Sequence, residues 1–404
     1  MKKIINKLTN EPLLFLTIPI CFPLVLIFLL FYPIIKVRFG LINSDRIGHF
    51  AANTELYLCR KNDKEKIFLD LFYFPTIPCN RQLEIMIKRE LNIFPKFVIR
   101  PFDLIIRSFK FLKFLNAIKT SHGDHDIYNY VDTSKNYIKF NDNEKKKGKN
   151  FLKKINLYKA KYICLTIRDE KYVETNWINK KTMDYHKHRN MEIDDFIPAC
   201  KYLNKRGYYV IRMGSDPKKK MSYKNSKFID YACSEYKSDF LDIYLLSNCY
   251  FNISSVMGLD AIPFIFRKPI LYLSAIPIGH FPTSSKKFIV STMKHYDTKV
   301  KKYLSISEIF KKGCGFLYSK NDYKKKNIKL IPYDKKEIKE YVREMLKFVN
   351  NNYKVTKEDK ILNELFWNNY INNIKLFSIF KLLHGKIKSI YSTCNLRKNK
   401  QLLK

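Results

Sequence analysis

The chain has 404 residues, a hydrophobic share of 46% and a formal charge of +39 at pH 7. That length accommodates two globular domains with attachments, and the apolar share is ample for packed cores. Its nine cysteines are odd in number and never spaced as C-x-x-C. This excludes a disulfide framework and structural zinc, and places the working domains in a reducing compartment.

So basic a balance usually signals nucleic acid or an anionic surface. No zinc finger, helix-turn-helix or aromatic ribonucleoprotein signature is present, and Lys, Asn, Ile and Tyr are all abundant, as AT-rich codons produce. No nucleic-acid partner is expected. A membrane surface and phosphate-rich ligands suit the charge.

Residues 1–40 read as a membrane anchor. Within them, Leu13–Val37 carries about twenty apolar residues, enough to span a hydrocarbon core. Pro19, Pro23 and Pro33 imply a kinked or re-entrant segment, and basic residues at both ends leave its orientation open. Residues 41–158 alternate strand and helix patterns: strand Ile67–Phe74, helix Arg81–Leu91, a short strand Phe97–Ile99 and amphipathic helix Leu104–Ile118. The lysine-rich stretch Asp142–Lys154 reads as a helix or a linker.

A second alternation fills residues 159–350. It begins with strand Tyr162–Ile167, helix Ile193–Lys205 and strand Tyr208–Met213, and continues with helix Phe240–Ser247 and strand Tyr250–Ile253. Helix Leu259–Phe266 and strand Ile270–Leu273 follow, with Pro198 and Pro263 inside two of the helical patterns. Strands separated by helices imply parallel βαβ units. Two such blocks predict an α/β protein of two Rossmann-like domains. Residues 351–404 form C-terminal helices and a tail. From Ile374 onward the tail has no acidic residue, and Leu376, Ile379, Phe380, Leu383, Ile387 and Ile390 share one helical face. A basic amphipathic helix of this kind fits an anionic bilayer, and the same stripe would also serve a helix packed on its own domain.

Open parallel sheets bind phosphates at the C-terminal ends of their strands. Arg168 and Arg212 sit at such ends, and a third strand opens into Ser254-Ser255-Val256-Met257-Gly258. Gly214 follows Arg212, and Gly258 permits close approach of backbone to a ligand. Surface or ion-paired arginines are the plain alternative. Asp239 and Asp242 lie in the first turn of a helix, where capping and the dipole account for them and a ribose hydroxyl is the other use. His49, after Asp45-Arg46-Ile47-Gly48, is a candidate general base, because an imidazole titrates near neutrality. Asp169 is the second candidate, with pairing to an arginine as its alternative. Asp124-x-Asp126, within His122–Asp126, has the spacing of a metal-binding acidic pair, and a solvated loop accounts for it equally well. No P-loop lysine, G-x-G-x-x-G, G-x-S-x-G or H-E-x-x-H pattern occurs, which removes the common kinase, dehydrogenase, hydrolase and metalloprotease signatures.

The chain resembles a family of bacterial glycosyltransferases associated with surface-polysaccharide and O-antigen synthesis. The resemblance rests on Arg46-Ile47-Gly48-His49-Phe50, Ile167-Arg168-Asp169 with Tyr172, Tyr185-His186 with Arg189-Asn190, Arg206–Gly214 and Ile229-Asp230-Tyr231-Ala232. It continues through Ser238–Leu245, Phe266-Arg267-Lys268-Pro269-Ile270 and Phe366-Trp367. It covers roughly residues 44–370, with the block from Arg189 to Ile270 the specific part. Family members often carry His where this chain has Thr166.

The resemblance implies a GT-B-like fold with a nucleotide-sugar donor in the second domain. The expectation is therefore a membrane-attached, metal-independent glycosyltransferase with no resident cofactor, its catalytic domains on the cytoplasmic side of an inner membrane. It would move a sugar from a nucleotide donor to a lipid-linked or glycan acceptor. Arg168, Arg212, Gly214, Asp242, Ser254, Ser255 and Gly258 would hold the donor, and His49 or Asp169 would be the base. The rival expectation is a non-catalytic membrane-associated scaffold retaining a Rossmann-like pair.

Overall fold

The computed structural model describes residues 13–118, 125–169, 187–215, 217–377 and 385–404. The chain divides into two compact units: Met1–Asp124 with Ser134–Phe140, and His125–Thr133 with Asn141–Lys404.

The first unit is built on three parallel strands, β1 (Val37–Leu41), β2 (Leu69–Tyr73) and β3 (Asn92–Ile93), in that order. Helices Ile47–Lys64 and Arg81–Lys88 make the crossovers, and the Asn80 side chain caps the second by accepting from the Leu83 amide at 2.8 Å. The Glu55 carboxylate, fully buried, accepts from the amides of Tyr137 and Ile138. That bond ties residues 134–140 back to this unit after the chain has left it.

Arg38 and Asp70 face each other in register across β1 and β2. Both are buried, and two bonds of 2.6 and 2.9 Å join the guanidinium fork to the carboxylate. Glu65 lies 2.7 Å from the same guanidinium, the Phe68 ring 3.8 Å beneath it, and the Tyr57 hydroxyl donates to Asp70. Burial would raise the Asp70 carboxyl, but the bonds from Arg38 and Tyr57 and the charge of Lys61 hold it below the usual carboxylate range.

The expected membrane anchor is corrected by the structure. Leu13–Leu30 is an 18-residue helix with Pro19 and Pro23 inside it, and Val37 opens β1 instead of ending an apolar span. One side of this helix is committed to the unit's own core: Cys21 and Val25 pack with Phe39, Ile99, Phe102 and Ile105. No helix among the described residues is long and apolar enough to cross a membrane. Phe97–Ile99 is not a strand either. It lies in the helix Lys96–Ser108, which takes up the first part of the expected Leu104–Ile118 helix, and a 3-10 segment Lys110–Leu115 takes up the rest.

The second unit opens earlier than residue 159. Helix Asp142–Lys154 belongs to it, started by a reciprocal capping box between Asn141 and Glu144. Gly148 on this helix lies so close against the buried Tyr244 ring that a Cβ would overlap it. The unit's sheet has seven parallel strands in the order β13-β9-β8-β7-β4-β5-β6. They are β4 (Tyr162–Thr166), β5 (Tyr209–Met213), β6 (Phe228–Ile229), β7 (Asn252–Ser254), β8 (Ile270–Tyr272), β9 (Phe288–Val290) and β13 (Ile390–Tyr391). A small antiparallel sheet adds β10 (Lys294–Asp297), β11 (Lys302–Tyr303) and β12 (Ile328–Ile331). Ile163, Leu165, Val210 and Ile253 of the large sheet pack with Phe196, Leu203, Ile338 and Met345 into one core.

The tail is not a free amphipathic helix. Ile390 and Tyr391 form the edge strand β13, and Thr393–Lys398 is a short helix packed on the unit. The buried Glu344 carboxylate receives the Thr393 amide at 2.8 Å and the hydroxyls of Ser392 and Thr393. Asn395 donates to the hydroxyls of Tyr333 and Tyr341, each at 2.9 Å, and Arg397 pairs with Asp359. Residues 379, 380 and 383 of the expected stripe lie outside the described residues.

Replacing Arg38 by Met removes the two-pronged partner of the buried Asp70 carboxylate, leaving Lys61 at 3.2 Å, and is expected to cost about 3–5 kcal/mol. Urea denaturation monitored at the first unit's tyrosines reads the loss. An unchanged midpoint would show that the fork does not hold β1 to β2.

Candidate anion site at the strand ends of the second unit

The C-terminal ends of β4 and β7 are stitched together by side chains. The Ser255 amide donates to the Thr166 carbonyl at 3.1 Å, and the Arg168 amide returns a bond of 2.8 Å to Ser255 Oγ. Beneath them lies the fully buried Asp260 carboxylate. It accepts from Thr166 Oγ1 at 2.9 Å, the Met257 amide at 2.8 Å and Ser254 Oγ. Ser254 Oγ in turn accepts from the Val256 amide at 2.7 Å. Burial pushes the Asp260 carboxyl up to about 6, against the opposing pull of these donors and of Arg189. Thr166 thus serves as a bridge between two strands and a buried acid, and Asn252 completes the cluster with a 2.9 Å bond to its hydroxyl.

This stitching fixes the backbone from which Arg168 projects. Its Nε is buried without a hydrogen-bond partner. Burial, and then the charge of Arg189, pull the Arg168 guanidinium down to about 10. Arg189 is tied to the same turn by a 2.8 Å bond from its guanidinium to the Val256 carbonyl. Val256 has φ +61°, a left-handed conformation that a β-branched residue adopts only under constraint. His188 stands alongside with both ring nitrogens buried and unpartnered. Burial, then the charges of Arg189, Arg168 and Lys320, lower it to about 4, so it is neutral at pH 7. Two guanidiniums close enough to disfavour each other's charge, over a strand end, form a ready site for a polyanion such as a diphosphate.

The remaining expected residues fall in different roles. Arg212 is buried, its guanidinium donating to the Lys219 carbonyl at 2.7 Å and to Asp230 at 3.3 Å, with Asp169 3.7 Å away. It closes the loop after β5 onto two carboxylates, which is the ion-paired alternative to its expected place on the diphosphate. Asp169 also receives the Lys218 amide at 3.1 Å, so the contacts shown are those of the arginine-paired alternative to its expected use as a base. Ser254 donates its hydroxyl to Asp260 and accepts from the Val256 amide, while Ser255 Oγ accepts from the Arg168 amide. Both shape the turn that follows β7. Gly258, itself exposed, begins the 3-10 turn Gly258–Asp260, whose other two residues are buried. Gly214 has φ +133° with nothing near its Cβ position, so the conformation, and not space, requires glycine. Asp242 accepts from the Tyr231 hydroxyl at 2.8 Å, and burial pushes it up to about 6. His49 is half-buried in the first turn of helix Ile47–Lys64 of the other unit.

Asp126 caps the short helix Tyr130–Thr133, accepting from the amides of Tyr130 and Val131 at 2.8 Å each. Asp124 and His122, with Tyr172, Tyr185 and His186, lie outside the described residues. No cluster of three or more His, Cys, Asp or Glu suited to a metal ion occurs among the described residues. Sequence reasoning passed over His188, Arg189 and Asp260 as site residues. The run His188-Arg189, a histidine and an arginine together shortly before the helix that starts near Ile193, was the available signal.

The chain matches no known protein-family pattern and no curated protein by sequence. Two solved structures are similar in shape. The ADP-heptose lipopolysaccharide heptosyltransferase II of E. coli shares 11% identity at a TM-score of 0.43, covering 77% of this chain and 98% of its own. A family 9 glycosyl transferase of Veillonella parvula shares 10% identity at a TM-score of 0.43, covering 77% of this chain and 97% of its own. Values this low assign neither family nor activity, and function has to be argued from the site.

Two outcomes follow from these shifts. Arg168→Met should raise the melting temperature by about 1–3 °C, because it removes a guanidinium whose charge is disfavoured by burial and by Arg189; a fall would show the guanidinium to be structurally paired. The raised Asp260 carboxyl binds its proton more readily folded than unfolded, so its contribution to stability is present at low pH and is lost as pH rises through about 6. Asp260→Asn should therefore gain on wild type in thermal melts between pH 5 and pH 7. A difference that does not change with pH would contradict the assignment.

Proposed function

We propose that this protein is a glycosyltransferase that moves a sugar from a nucleotide-sugar donor to a lipid-linked or glycan acceptor in bacterial surface-polysaccharide synthesis. The observation that carries the reading is the Arg168–Arg189 pair at the C-terminal end of a parallel strand, where the charge of the second guanidinium disfavours that of the first. The family resemblance of the sequence supports it, and GT-B is the architecture that resemblance implies.

In this reading the diphosphate lies against Arg168 and Arg189. As the glycosidic bond to the donor breaks, negative charge grows on the leaving diphosphate, and two fixed guanidiniums stabilise it more than they stabilise the bound donor. Neutral His188, buried beside them, keeps water from screening that interaction. Asp260, Ser254 and Thr166 do not touch the donor; they position the turn that carries Arg189's carbonyl partner. Asp242 is the proposed ribose contact. His49, carried by the resemblance, is the proposed acceptor of the proton from the incoming hydroxyl. No resident cofactor is required, because the arginines supply the positive charge that a metal supplies in other transferases.

A thermal-shift screen of nucleoside diphosphates and nucleotide sugars tests the site, since a ligand that binds only the folded state raises the melting temperature. A nucleoside diphosphate should stabilise wild type and not Arg168→Ala, and Arg168→Ala should lose about 10²-fold or more in donor turnover. Full turnover in a folded Arg168→Ala protein would remove the site from the chemistry. Turnover should also survive excess chelator and the Asp124→Ala/Asp126→Ala double change. Loss on chelation, restored by manganese, would replace the arginine account with a metal-dependent one. His49→Ala should lower turnover by about 10²-fold while leaving nucleotide-induced stabilisation intact.

A further inference from the structure

The first unit carries an apolar surface that its own core does not use. On helix Leu13–Leu30 the side facing away from Cys21 and Val25 is formed by Leu16, Ile20, Leu26 and Leu30, of which Leu16 is 70% and Leu30 75% exposed. The chain then turns through Ile34, 79% exposed, before entering β1. Ring contacts join this surface to the 3-10 segment Lys110–Leu115: Phe22 meets Phe109 at 6.3 Å between centroids, and Tyr32 meets Phe114 at 4.9 Å. Phe111, 67% exposed, continues it from Phe109. Monomeric proteins seldom leave so many large apolar side chains together in water.

The chemistry of the rim identifies the occupant. Aromatics and lysines alternate in Phe109-Lys110-Phe111-Leu112-Lys113-Phe114, with the phenylalanines and both lysines exposed and Leu112 turned into the core. Between residues 94 and 116 the basic side chains are Lys96, Arg100, Arg107, Lys110 and Lys113, and the sole acid in that sequence, Asp103, is buried against Tyr73 and Arg107. An apolar face fringed by cations matches the boundary between acyl chains and anionic headgroups. A second copy of the chain fits poorly. A two-fold dimer would set this patch on itself, lysine against lysine.

We infer that this face docks the protein onto an anionic lipid bilayer, with helix Leu13–Leu30 lying in the plane of the membrane instead of crossing it. The helix cannot turn to span the bilayer without exposing Cys21, Val25 and the core they complete. The inference does not depend on the proposed chemistry. It predicts an interfacial attachment in which buried apolar area supplies affinity and the lysines supply preference for negative charge.

The test uses the full chain and vesicles of equal parts phosphatidylcholine and phosphatidylglycerol, read by co-sedimentation. Wild type should bind these vesicles and bind pure phosphatidylcholine much less. Phe111→Ser with Ile34→Ser should weaken binding by at least about tenfold, since two exposed apolar side chains no longer enter the lipid. Lys110→Ser with Lys113→Ser should lower the preference for anionic vesicles by about fivefold per lysine, and raised salt should mimic the change. All four substitutions are at exposed positions, so unchanged melting temperatures are expected and nucleoside diphosphate stabilisation should persist. Equal binding of wild type and both double variants would overturn the inference. So would a wild-type dimer that binds no vesicles and becomes monomeric on Phe111→Ser.

Discussion

The buried Asp260 carboxylate is the constraint on which the ligand-facing edge of the second unit depends. A charged or proton-sharing acid in the interior has to be surrounded by donors, and here those donors come from three places in the chain: Thr166 at the end of β4, Ser254 at the end of β7, and the Met257 amide in the turn that follows. Satisfying one acid therefore fixes the relative height of two strand ends and the path of the turn. The strained φ at Val256 is a consequence of that path. From it the Val256 carbonyl reaches Arg189, and Ser255 reaches the Arg168 amide.

Positive charge then gathers at one strand end, where the charge of Arg189 bears on both Arg168 and the buried Asp260. Arg212 illustrates the contrast. It lies on the neighbouring strand, buried as deeply as any site residue, yet Asp169 and Asp230 neutralise it and the loop after β5 folds over it. Arg38 in the first unit is the same case, answered by Asp70 and Glu65. Arg168, half-buried, differs from both: its Nε is buried without an acceptor and its charge is penalised by a second arginine. Holding such a group is costly in the absence of ligand, which is the usual signature of a site built for something that is not part of the chain.

Much of the sheet was legible because short buried parallel strands leave continuous apolar runs. β4 and β5 fall within one residue of the expected strands, as the alternation with helices requires. Legibility failed where the deciding partner is distant in sequence. Arg212 reads as a phosphate ligand from its strand-end position, and its bond to Asp230, eighteen residues on, is invisible in the local pattern. The tail looks like a membrane helix because its apolar residues fit a 3.6-residue period. What fixes it instead is Glu344, about fifty residues upstream, whose carboxylate seats Ser392 and Thr393 and lets Tyr391 join the sheet edge. The N-terminal apolar run merged two elements, because hydropathy alone does not separate an exposed helix face from the buried strand β1 that follows it. Phe97–Ile99 is a short apolar run that reads as a strand by itself, yet it lies with Pro101 within helix Lys96–Ser108.

The central claim is that Arg168 and Arg189 hold a diphosphate. Isothermal titration of the full chain with a nucleoside diphosphate and with the corresponding nucleoside tests it most directly. The account predicts that the diphosphate binds far more tightly than the nucleoside, that the difference shrinks by about 10²-fold in Arg168→Ala, and that added salt weakens only the diphosphate. Equal affinity of wild type and Arg168→Ala for the diphosphate, with both proteins folded, would contradict it.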